Sequence, residues 1–341
     1  MTDCDPRSLR VNLNELPYPP PARVLRAAAE ALKSSNLYPE GRDVLVLKEL
    51  MAKYTGVAPE NVHFASGSDY AFYELFSQLR VFSSGPLALI IDPTFSSYEP
   101  ILKATGWKVE RVRLIEGEER WNLPPDGLKD ALKHLKPSLL VVDDPNNPTG
   151  SPIFGGEGIE GLAGSLDEWG GWLLIDEAYA EFSGYSISKL VGSIGNLVVF
   201  RTLSKAFALA GLRSSALLAA ETLIASIESG SPRFELSRPT LAASVEALRD
   251  PSYALRYARE IVNERQRMWL RLAGIQYLKS YKSWTNFFLL KFTDEDALRR
   301  TGINFMRPAM RGSFARFSLM DREADDCLLV ALEESLRSRI K

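Results

Sequence analysis

Three polar clusters in the chain each follow a short apolar run and contain side chains that could carry chemistry. The first comprises residues 143–150 (DDPNNPTG), the second residues 176–179 (DEAY), and the third residues 201–213 (RTLSKAFALAGLR). If the apolar runs are strands of one open α/β sheet, ligands are expected beyond the carboxyl ends of those strands. We therefore predict that the three clusters meet in a single crevice.

The types of side chain in these clusters are those that pyridoxal 5'-phosphate requires. A lysine amine can form a Schiff base with the aldehyde of this cofactor, and an acid at a strand end can keep the pyridine nitrogen protonated. Asparagine and tyrosine can hydrogen-bond the phenolic oxygen, while serine and the forked donors of arginine can hold the phosphate. Each cluster alone could be an ordinary turn or a set of surface charges. The prediction therefore depends on their occurrence together and in this order.

The apolar runs have the composition of strands that are buried on both faces. They are four or five residues long, rich in valine, isoleucine and leucine, and lack strict alternation with polar residues. That pattern is typical of a parallel sheet covered by helices. Amphipathic stretches at 126–136 and 158–169 are predicted to be connecting helices. The five clearest runs are at 87–91, 139–142, 172–175, 197–200 and 216–219.

The length of 341 residues indicates two domains, at about 150 residues for each domain. The predicted fold class is α/β, with a large cofactor-binding domain at residues 33–235 that has a mainly parallel sheet flanked by helices. Residues 1–32 and 236–341 are predicted to form a smaller α+β domain. Its predicted elements are helices at 22–32, 252–272 and about 323–337, and a strand at 287–292.

The composition excludes several classes of function. Lysine and arginine total 41 against 43 acidic residues, a formal net charge of -2, so the chain has no basic excess for binding nucleic acid. Two cysteines and two histidines exclude a four-cysteine zinc site and a multi-histidine metal cage. We expect His63 and His134 to be ordinary buried or surface residues. The acidic start and the lack of an 18-residue apolar run predict a soluble, cytoplasmic protein without a membrane span.

Two short motifs match functional patterns by their letters alone. Residues 156–161 read G-x-G-x-x-G, but a turn-like segment precedes them and their two glutamates would repel a pyrophosphate. We predict a loop that leads into a helix there. Residues 186–189 read S-x-x-K without any supporting partner motif, so this match is interpreted as incidental.

The third cluster carries the most specific resemblance to a known family. Residues 201–213 resemble, without a gap, the lysine segment of fold-type I pyridoxal-phosphate enzymes of the aminotransferase class I/II group, most closely the histidinol-phosphate aminotransferases. The resemblance extends from about Asn12 to the C-terminus. It implies that Lys205 forms the Schiff base with the cofactor. It also implies that Ser204 and Arg213 hold the cofactor phosphate.

The same resemblance implies further contacts with the cofactor. Asp176 pairs with the pyridine nitrogen, and Tyr179 and Asn147 contact the phenolic oxygen, so that Lys205, Asp176 and Tyr179 form the catalytic set. Ser68 and Asp69 resemble the family's glycine-containing turn at the start of a helix. A helix N-terminus suits a phosphate because its backbone N–H groups and dipole are positive.

Two aromatic residues have counterparts in the family pattern. Phe95 stands in a Pro-Thr-Phe sequence that resembles a Pro-Thr-Tyr motif, whose ring stacks on the cofactor, although phenylalanine lacks the hydroxyl. Tyr38 lies in residues 37–41, which resemble the segment whose tyrosine reaches the cofactor phosphate of the neighbouring subunit. The resemblance therefore implies a homodimer with shared active sites.

Substrate binding is implied for two arginines, with Asn147 beside them. Residues 314–318 resemble a Leu-Arg-Ile-Ser strand, which implies that Arg316 grips an anionic group of the substrate. Arg307, in a stretch similar to Val-Arg-Pro, would assist it. Departures from the family pattern concern the substrate rather than the cofactor: Leu16 and Glu235 each replace an expected asparagine, and residues 320–321 replace a glycine.

The leading hypothesis is a ping-pong aminotransferase in which Lys205 also moves the proton between the substrate and the cofactor. The amino donor would be histidinol phosphate or an amino acid, and the acceptor a 2-oxo acid such as 2-oxoglutarate. A pyridoxal-phosphate decarboxylase resembling threonine-phosphate decarboxylases is the alternative, because Phe95 resembles that branch, whereas Tyr179 and the lysine segment resemble the aminotransferases. A non-enzymatic regulator is a third, less favoured hypothesis, since the sequence shows no helix-turn-helix domain.

Overall fold

The computed structural model describes residues 5–83, 85–232, 234–293 and 295–337. Its strands, in chain order, are β1 (Val62–Ala65), β2 (Leu87–Asp92), β3 (Lys108–Arg113), β4 (Ile115–Glu116), β5 (Trp121–Asn122), β6 (Leu139–Asp143), β7 (Trp172–Asp176), β8 (Leu197–Thr202), β9 (Ser215–Leu218), β10 (Leu278–Ser280), β11 (Phe287–Phe292) and β12 (Ser313–Ser318). Its helices are α1 (Ala22–Leu32), α2 (Gly41–Thr55), α3 (Ser68–Phe82), α4 (Tyr98–Ala104), α5 (Gly127–Leu135), α6 (Ile159–Asp167), α7 (Ala180–Ser183), α8 (Glu221–Gly230), α9 (Arg238–Arg249), α10 (Ser252–Leu272), α11 (Glu295–Arg300) and α12 (Arg322–Arg337).

A seven-stranded, mostly parallel sheet forms the centre of the molecule, in the order β1-β9-β8-β7-β6-β2-β3. Strands β3, β2, β6, β7 and β8 run parallel to one another, which confirms the predicted fold class. The run at 216–219 belongs to β9, but this strand is antiparallel to both β8 and β1. Residues 203–214, which join β8 to β9, contain only a 3-10 turn at Ala210–Leu212. Parallel strands need a longer crossover, usually a helix.

Two strands of this sheet were not predicted from the sequence. Strand β1 is fully buried, but His63 interrupts its apolar pattern. Strand β3 lies at the edge of the sheet and is mostly exposed, with charged residues at four of its six positions. Charged side chains are typical of edge strands, where they oppose pairing with another chain. Neither strand therefore has the composition of a buried parallel strand.

The core lies on both faces of the central sheet, because successive side chains of a strand point to opposite faces. In β6, Leu140 and Val142 pack into one apolar cluster, whereas Leu139 and Val141 pack into the other. Helices α5 and α6 occupy the chain segments predicted as connecting helices, at 126–136 and 158–169. The G-x-G-x-x-G stretch leads into α6 from a loop, as predicted, with Gly158 in the left-handed conformation just before the helix.

A second, three-stranded antiparallel sheet, β10-β11-β12, lies in the C-terminal part of the chain. Helix α10 contacts α12 and β10, and Trp269 of this helix stacks on Phe288 of β11. The helices predicted at 22–32 and 252–272 and the strand at 287–292 are confirmed. Helix α1 packs against α9, which also contacts α2. The division into two domains at residues 32/33 and 235/236 stays a prediction.

Among the described residues, no helix combines enough length with enough apolar character to cross a bilayer.

Candidate active site

The three polar clusters meet, as predicted, around one cavity of about 450 Å³. This cavity lies beyond the carboxyl ends of β6, β7 and β8, because Asp143, Asp176 and Thr202 are the last residues of those strands and all line it. Of the residues predicted to contact cofactor or substrate, the following line the cavity: Ser68, Phe95, Asn147, Asp176, Tyr179, Ser204, Lys205, Arg213 and Arg316.

Asp176 is buried at the end of β7, in the middle of the sheet. Its carboxylate accepts a hydrogen bond of 2.6 Å from the Tyr98 hydroxyl and one of 2.8 Å from the backbone N–H of Ala178. Burial raises the pKa of Asp176 to about 6, while these two hydrogen bonds act in the opposite direction. A cationic partner in the cavity would therefore stabilise the ionised form of Asp176.

Lys205 follows β8 and reaches the same cavity. Its Nζ donates a hydrogen bond of 3.1 Å to the backbone carbonyl of Leu13 and lies 5.9 Å from the centre of the Tyr179 ring. Burial, together with the positive charges of Arg316 and Arg213, lowers the pKa of the Lys205 amine to about 8. A substantial share of this amine is therefore neutral near physiological pH.

Glycine at position 67 allows an arginine to approach the start of α3 closely. Gly67 has a φ of +83°, and a Cβ placed on it would lie 2.2 Å from an Nη atom of Arg213. Ser68, the next residue, begins the helix and lines the cavity, and Asp69 follows in the first turn without lining it. A guanidinium beside a helix N-terminus creates a positive site that suits a phosphate.

The turn after β6 positions Asn147 through the buried carboxylate of Asp143. This carboxylate accepts hydrogen bonds from the backbone N–H of Asn147, the hydroxyl of Thr94 and the amide of Asn146, each of 2.8 Å. Burial raises the pKa of Asp143 to about 7. The side chain of Asn147 in turn accepts a hydrogen bond from Arg316. The turn therefore links the central sheet to the second sheet.

Arg316 brings a buried guanidinium from β12 to the cavity. One Nη atom donates to Asn147 and the other donates a hydrogen bond of 2.7 Å to the backbone carbonyl of Asn12, while Nε has no partner among the described residues. Its carbon lies 5.2 Å from the centre of the Phe287 ring, and burial lowers its pKa. A buried cation without a carboxylate partner is a favourable site for an anionic ligand.

Tyr179 is buried against the ring of Phe287, and its hydroxyl accepts a hydrogen bond of 2.9 Å from the side-chain amide of Asn14. Burial raises the pKa of Tyr179 to about 12, so the phenol keeps its proton at neutral pH. Tyr179 can therefore still donate a hydrogen bond to an acceptor in the cavity.

Besides Asp69, the predicted contact residues Arg307 and Tyr38 lie outside this cavity, as does Glu235. Arg307 is 48% exposed and forms an ion pair with Glu295, whereas its neighbours Met306 and Pro308 line the cavity. Tyr38 is 74% exposed, and its ring stacks on another aromatic ring at 4.4 Å. Glu235 is buried in a separate polar cluster, so it faces neither the cavity nor the solvent.

Three residues that shape the site were not predicted: Tyr98, Thr94 and Asn14. Tyr98 belongs to α4 but contacts Asp176, which is 78 positions away in the chain. No local pattern in the sequence indicates such a contact, because it depends on how α4 packs against α3 and β3. Thr94 does lie in the Pro-Thr-Phe sequence that was recognised, so only its partner was missing, and Asn14 lies two residues before Leu16, one of the departures noted above.

The family model of aminotransferase class I and II matches residues 7–332. The histidinol-phosphate aminotransferase of Sulfurisphaera tokodaii is 35% identical over 336 residues, which are 97% of this chain and 91% of that protein. The enzyme of the same name from Thermoanaerobacter pseudethanolicus is 32% identical, over 97% and 94% of the two chains.

Solved structures agree with these sequence matches. The histidinol-phosphate aminotransferase of Sinorhizobium meliloti, in complex with pyridoxal-5'-phosphate, has a TM-score of 0.84 and 25% identity, and the match covers 97% of this chain and 91% of that chain. This chain therefore belongs to the aminotransferase class I and II family, and the amino-group transfer and the pyridoxal 5'-phosphate cofactor predicted from its sequence accord with that membership.

Proposed function

We propose that the enzyme transfers the amino group of histidinol phosphate to a 2-oxo acid such as 2-oxoglutarate, in ping-pong order. One observation carries this proposal: Lys205, Asp176 and Arg316 line a single cavity, where an amine, an acid and an incompletely partnered guanidinium face the same space. The name shared by the relatives from Sulfurisphaera tokodaii and Thermoanaerobacter pseudethanolicus supports histidinol phosphate as the amino donor. An amino acid donor is the other possibility within this class.

The residues around the cavity fit pyridoxal phosphate. The cavity of about 450 Å³ contains an amine for the aldehyde, an acid for the ring nitrogen and, at the start of α3, a positive site for the phosphate. When bound, the cofactor supplies an electron-withdrawing ring that lowers the cost of removing a proton from the substrate's α-carbon. We assign the phosphate to Ser68, Ser204 and Arg213, with Asp69 supporting the helix N-terminus, and the ring face to Phe95.

Lys205 is the proposed covalent anchor of the cofactor and the proton-transfer group. Its lowered pKa of about 8 matters in both roles, because only a neutral amine can attack an aldehyde or accept a proton. The hydrogen bond of 3.1 Å to the carbonyl of Leu13 holds the amine in the cavity, which both residues line.

Asp176 is the proposed partner of the pyridine nitrogen. The hydrogen bond from Tyr98 orients its carboxylate, and a protonated ring nitrogen would supply the positive charge that this buried acid lacks. Tyr98 is thus a positioning residue, since it acts through Asp176. Tyr179 and Asn147 are assigned to the phenolic oxygen, because both line the cavity and are held in place by hydrogen bonds with Asn14 and Asp143, respectively.

Arg316 is the proposed site for the anionic group of the substrate, either a phosphate or a carboxylate. Its two Nη atoms are already held by Asn147 and by the carbonyl of Asn12, so the guanidinium plane is fixed before substrate arrives. A fixed guanidinium loses little entropy when it binds an anion. Arg307 is assigned a secondary role, because it already pairs with Glu295 at the surface.

We also propose that the enzyme works in the cytoplasm as a homodimer in which Tyr38 contacts the partner's cofactor phosphate. Tyr38 and the neighbouring Leu37 are exposed, and Phe234 stacks on Tyr38 while remaining 44% exposed. Such an apolar patch is a favourable surface for a second copy of the chain. Sedimentation of the wild type and of a Tyr38→Asp, Phe234→Asp variant tests this, with a monomeric wild type as the contradicting result.

The function is tested by the absorbance of the bound cofactor. Histidinol phosphate should bleach the absorbance of the enzyme-bound aldehyde form, and 2-oxoglutarate should restore it without release of carbon dioxide. Borohydride reduction before substrate addition should leave the cofactor on the peptide that contains Lys205, as read by mass spectrometry. Carbon dioxide release without recovery of absorbance would favour the decarboxylase instead, and labelling of a different lysine would contradict the assignment of the site.

A further inference from the structure

A second buried polar cluster lies outside the active-site cavity, and three separate elements contribute to it. His63 belongs to β1, Glu74 to α3, and Glu235 to the segment between α8 and α9. The Nε2 atom of His63 lies 3.2 Å from Oε2 of Glu74 and 3.8 Å from Oε2 of Glu235. These three ligand-type atoms all lie within 4.8 Å of one another. We call His63, Glu74 and Glu235 the His63 cluster.

Glu235 is the unusual member of the His63 cluster. Its side chain is only 7% exposed, yet neither of its carboxylate oxygens has a hydrogen-bond partner within the part of the chain that the structure describes. Leaving a buried carboxylate without a hydrogen bond costs free energy, so such groups are normally paired or bound to a metal. Its nearest counter-charge is the imidazole of His63, which is already 3.2 Å from Glu74.

We propose that the His63 cluster binds a divalent cation, with Nε2 of His63 and one oxygen each of Glu74 and Glu235 as ligands. Ligand atoms about 2.0–2.2 Å from a metal lie about 3.0–3.5 Å from one another in octahedral or tetrahedral geometry. The separations of 3.2 Å and 3.8 Å are close to that range, so small movements of flexible glutamate side chains suffice for coordination. Burial and the neighbouring Glu74 raise the pKa of Glu235 to about 8, so binding of the cation would release a proton, after which the two carboxylate charges would match the charge of the cation.

The groups around the cluster have the arrangement of an outer metal shell. The other ring nitrogen of His63, Nδ1, lies 3.5 Å from Glu228, so this carboxylate would hold a proton on Nδ1 when Nε2 gives up its own proton to bind a metal. Lys48 lies 2.5 Å from the same carboxylate of Glu228 and holds it in place. The second oxygen of Glu74 accepts a hydrogen bond from Ser231. Ligands that are oriented in this way bind metals more tightly.

The set of ligands favours zinc among the common cations. One imidazole with two carboxylates suits Zn²⁺ or Mn²⁺, whereas Mg²⁺ and Ca²⁺ prefer oxygen ligands alone. Three protein ligands leave further coordination positions to water. The site lies apart from the residues assigned to pyridoxal phosphate, so this proposal does not depend on the proposed function.

A bound cation would connect the sheet to the segment that carries Phe234. Because Glu235 follows Phe234 directly, ligation of Glu235 would fix the stretch whose aromatic ring stacks on Tyr38. Without a cation, the only described contact that holds the carboxylate of Glu235 to the sheet is the 3.8 Å approach to His63. The metal is therefore expected to stabilise this segment rather than to take part in the amino-group transfer.

The proposal is tested by titrating the cofactor-loaded enzyme with ZnCl₂ in a calorimeter. One equivalent of Zn²⁺ should bind per chain, and Zn²⁺ should raise the unfolding temperature, because a ligand of the folded state stabilises it. His63→Gln and Glu235→Gln should each weaken binding at least tenfold. Glu228→Gln, which changes the outer shell alone, should weaken it about tenfold, at the lower end of the effect of such changes.

Two matched variants serve as controls. His134 is the other histidine of the chain and lies on the exposed side of α5, so His134→Gln should bind Zn²⁺ like the wild type. Glu116→Gln removes a carboxylate that is held by Lys279 and Lys291 and should also have no effect. X-ray absorption of the Zn²⁺-loaded wild type, which needs no variant, should show one imidazole and oxygen ligands. Absence of stoichiometric binding, an all-oxygen spectrum, or unchanged affinity in Glu235→Gln would overturn the proposal.

Discussion

Asp176 and Glu177 are neighbours in the chain, yet they lie in two very different buried regions. Asp176 faces the cavity, where Tyr98 and the backbone of Ala178 are the donors to its carboxylate among the residues that the structure describes. Glu177 faces the other side of the strand end. There its carboxylate accepts hydrogen bonds from Arg201, from the backbone of Ile187, and from the hydroxyls of Ser186 and Ser188.

The difference between the two regions is the degree to which their charges are satisfied. Arg201 contacts both Glu177 and Glu181, and Tyr54 donates a further hydrogen bond to Glu181, so every charge there has an opposite partner. In the cavity, by contrast, within the described part of the chain Lys205 donates a hydrogen bond to a backbone carbonyl and Arg316 has no carboxylate partner. A satisfied buried network stabilises the fold, whereas an unsatisfied one is ready to bind a ligand.

The largest expected effect is on catalysis, from Lys205→Ala. Removing this amine removes the proposed proton acceptor, so the rate of the half-reaction with the amino donor should fall by about 10³-fold or more. Rapid mixing of cofactor-loaded enzyme with histidinol phosphate measures this rate. Lys133→Ala, on the exposed face of α5, is the control. Retention of a tenth of the wild-type rate by Lys205→Ala would contradict the assignment.

On the other side of the sheet, Arg201→Met should affect stability instead. It leaves the carboxylates of Glu177 and Glu181 buried without their cation, so the free energy of unfolding should fall by about 3–5 kcal/mol. Urea denaturation measures this change. Arg249→Met breaks an exposed pair with Glu246 and should cost less than about 1 kcal/mol. Equal losses in the two variants would show that the network around Arg201 has no special role in folding.

The incomplete pairing in the cavity also predicts a pH dependence for cofactor uptake. Only the neutral amine of Lys205 reacts, so the rate at which the cofactor-free enzyme forms its covalent bond with pyridoxal phosphate should rise with pH and level off above about 8. Stopped-flow absorbance follows this reaction. In Arg316→Gln the midpoint should move to higher pH, because a positive charge that lowers the pKa is removed. A wild-type midpoint near 10.5, the ordinary lysine value, would mean that burial does not perturb this amine.

The smallest expected effects distinguish the two arginines assigned to substrate. Arg316→Gln should raise KM for an anionic amino donor by about 10- to 100-fold, since a charged hydrogen bond contributes about 1.5–3 kcal/mol. Arg307→Gln should raise KM no more than about threefold, because an exposed ion pair contributes less than about 1 kcal/mol. Steady-state kinetics with histidinol phosphate provide both values. If Arg307→Gln had the larger effect, the loop at Met306–Pro308 would have to rearrange when substrate binds.

Much of the fold could be predicted because its signals are local. The buried strands appear as apolar runs, and the polar clusters come directly after them, so the sequence alone indicated the sheet and its functional edge. The direction of the strands was harder to predict from the sequence. The run at 216–219 overlaps β9, which is antiparallel to β8 because the connection at 203–214 contains no crossover helix. Strands β1 and β3 were missed because His63 and an exposed, charged edge conceal them.

In the site, residue types could be predicted but their partners could not. Lys205, Asp176 and Asn147 were found from their position after strands, whereas Tyr98 was not, because its contact with Asp176 arises from helix packing. The location of Glu235 was likewise open until the structure showed it beside His63. Such contacts join residues that are far apart in the chain, and no sequence period encodes them.

The sequence by itself determined which chemical groups this protein possesses and where along the chain they occur, since strand formation and the polar residues that end a strand depend on near neighbours. Only the tertiary structure decided which of those groups have hydrogen-bond or ion-pair partners. The neighbouring residues Asp176 and Glu177 both carry carboxyl groups that are ionised in water at neutral pH, but packing surrounds Glu177 with four donor groups and leaves Asp176 open to the cavity. Reactivity follows from that difference, because a buried charge is stable only to the extent that its surroundings replace the water it has lost.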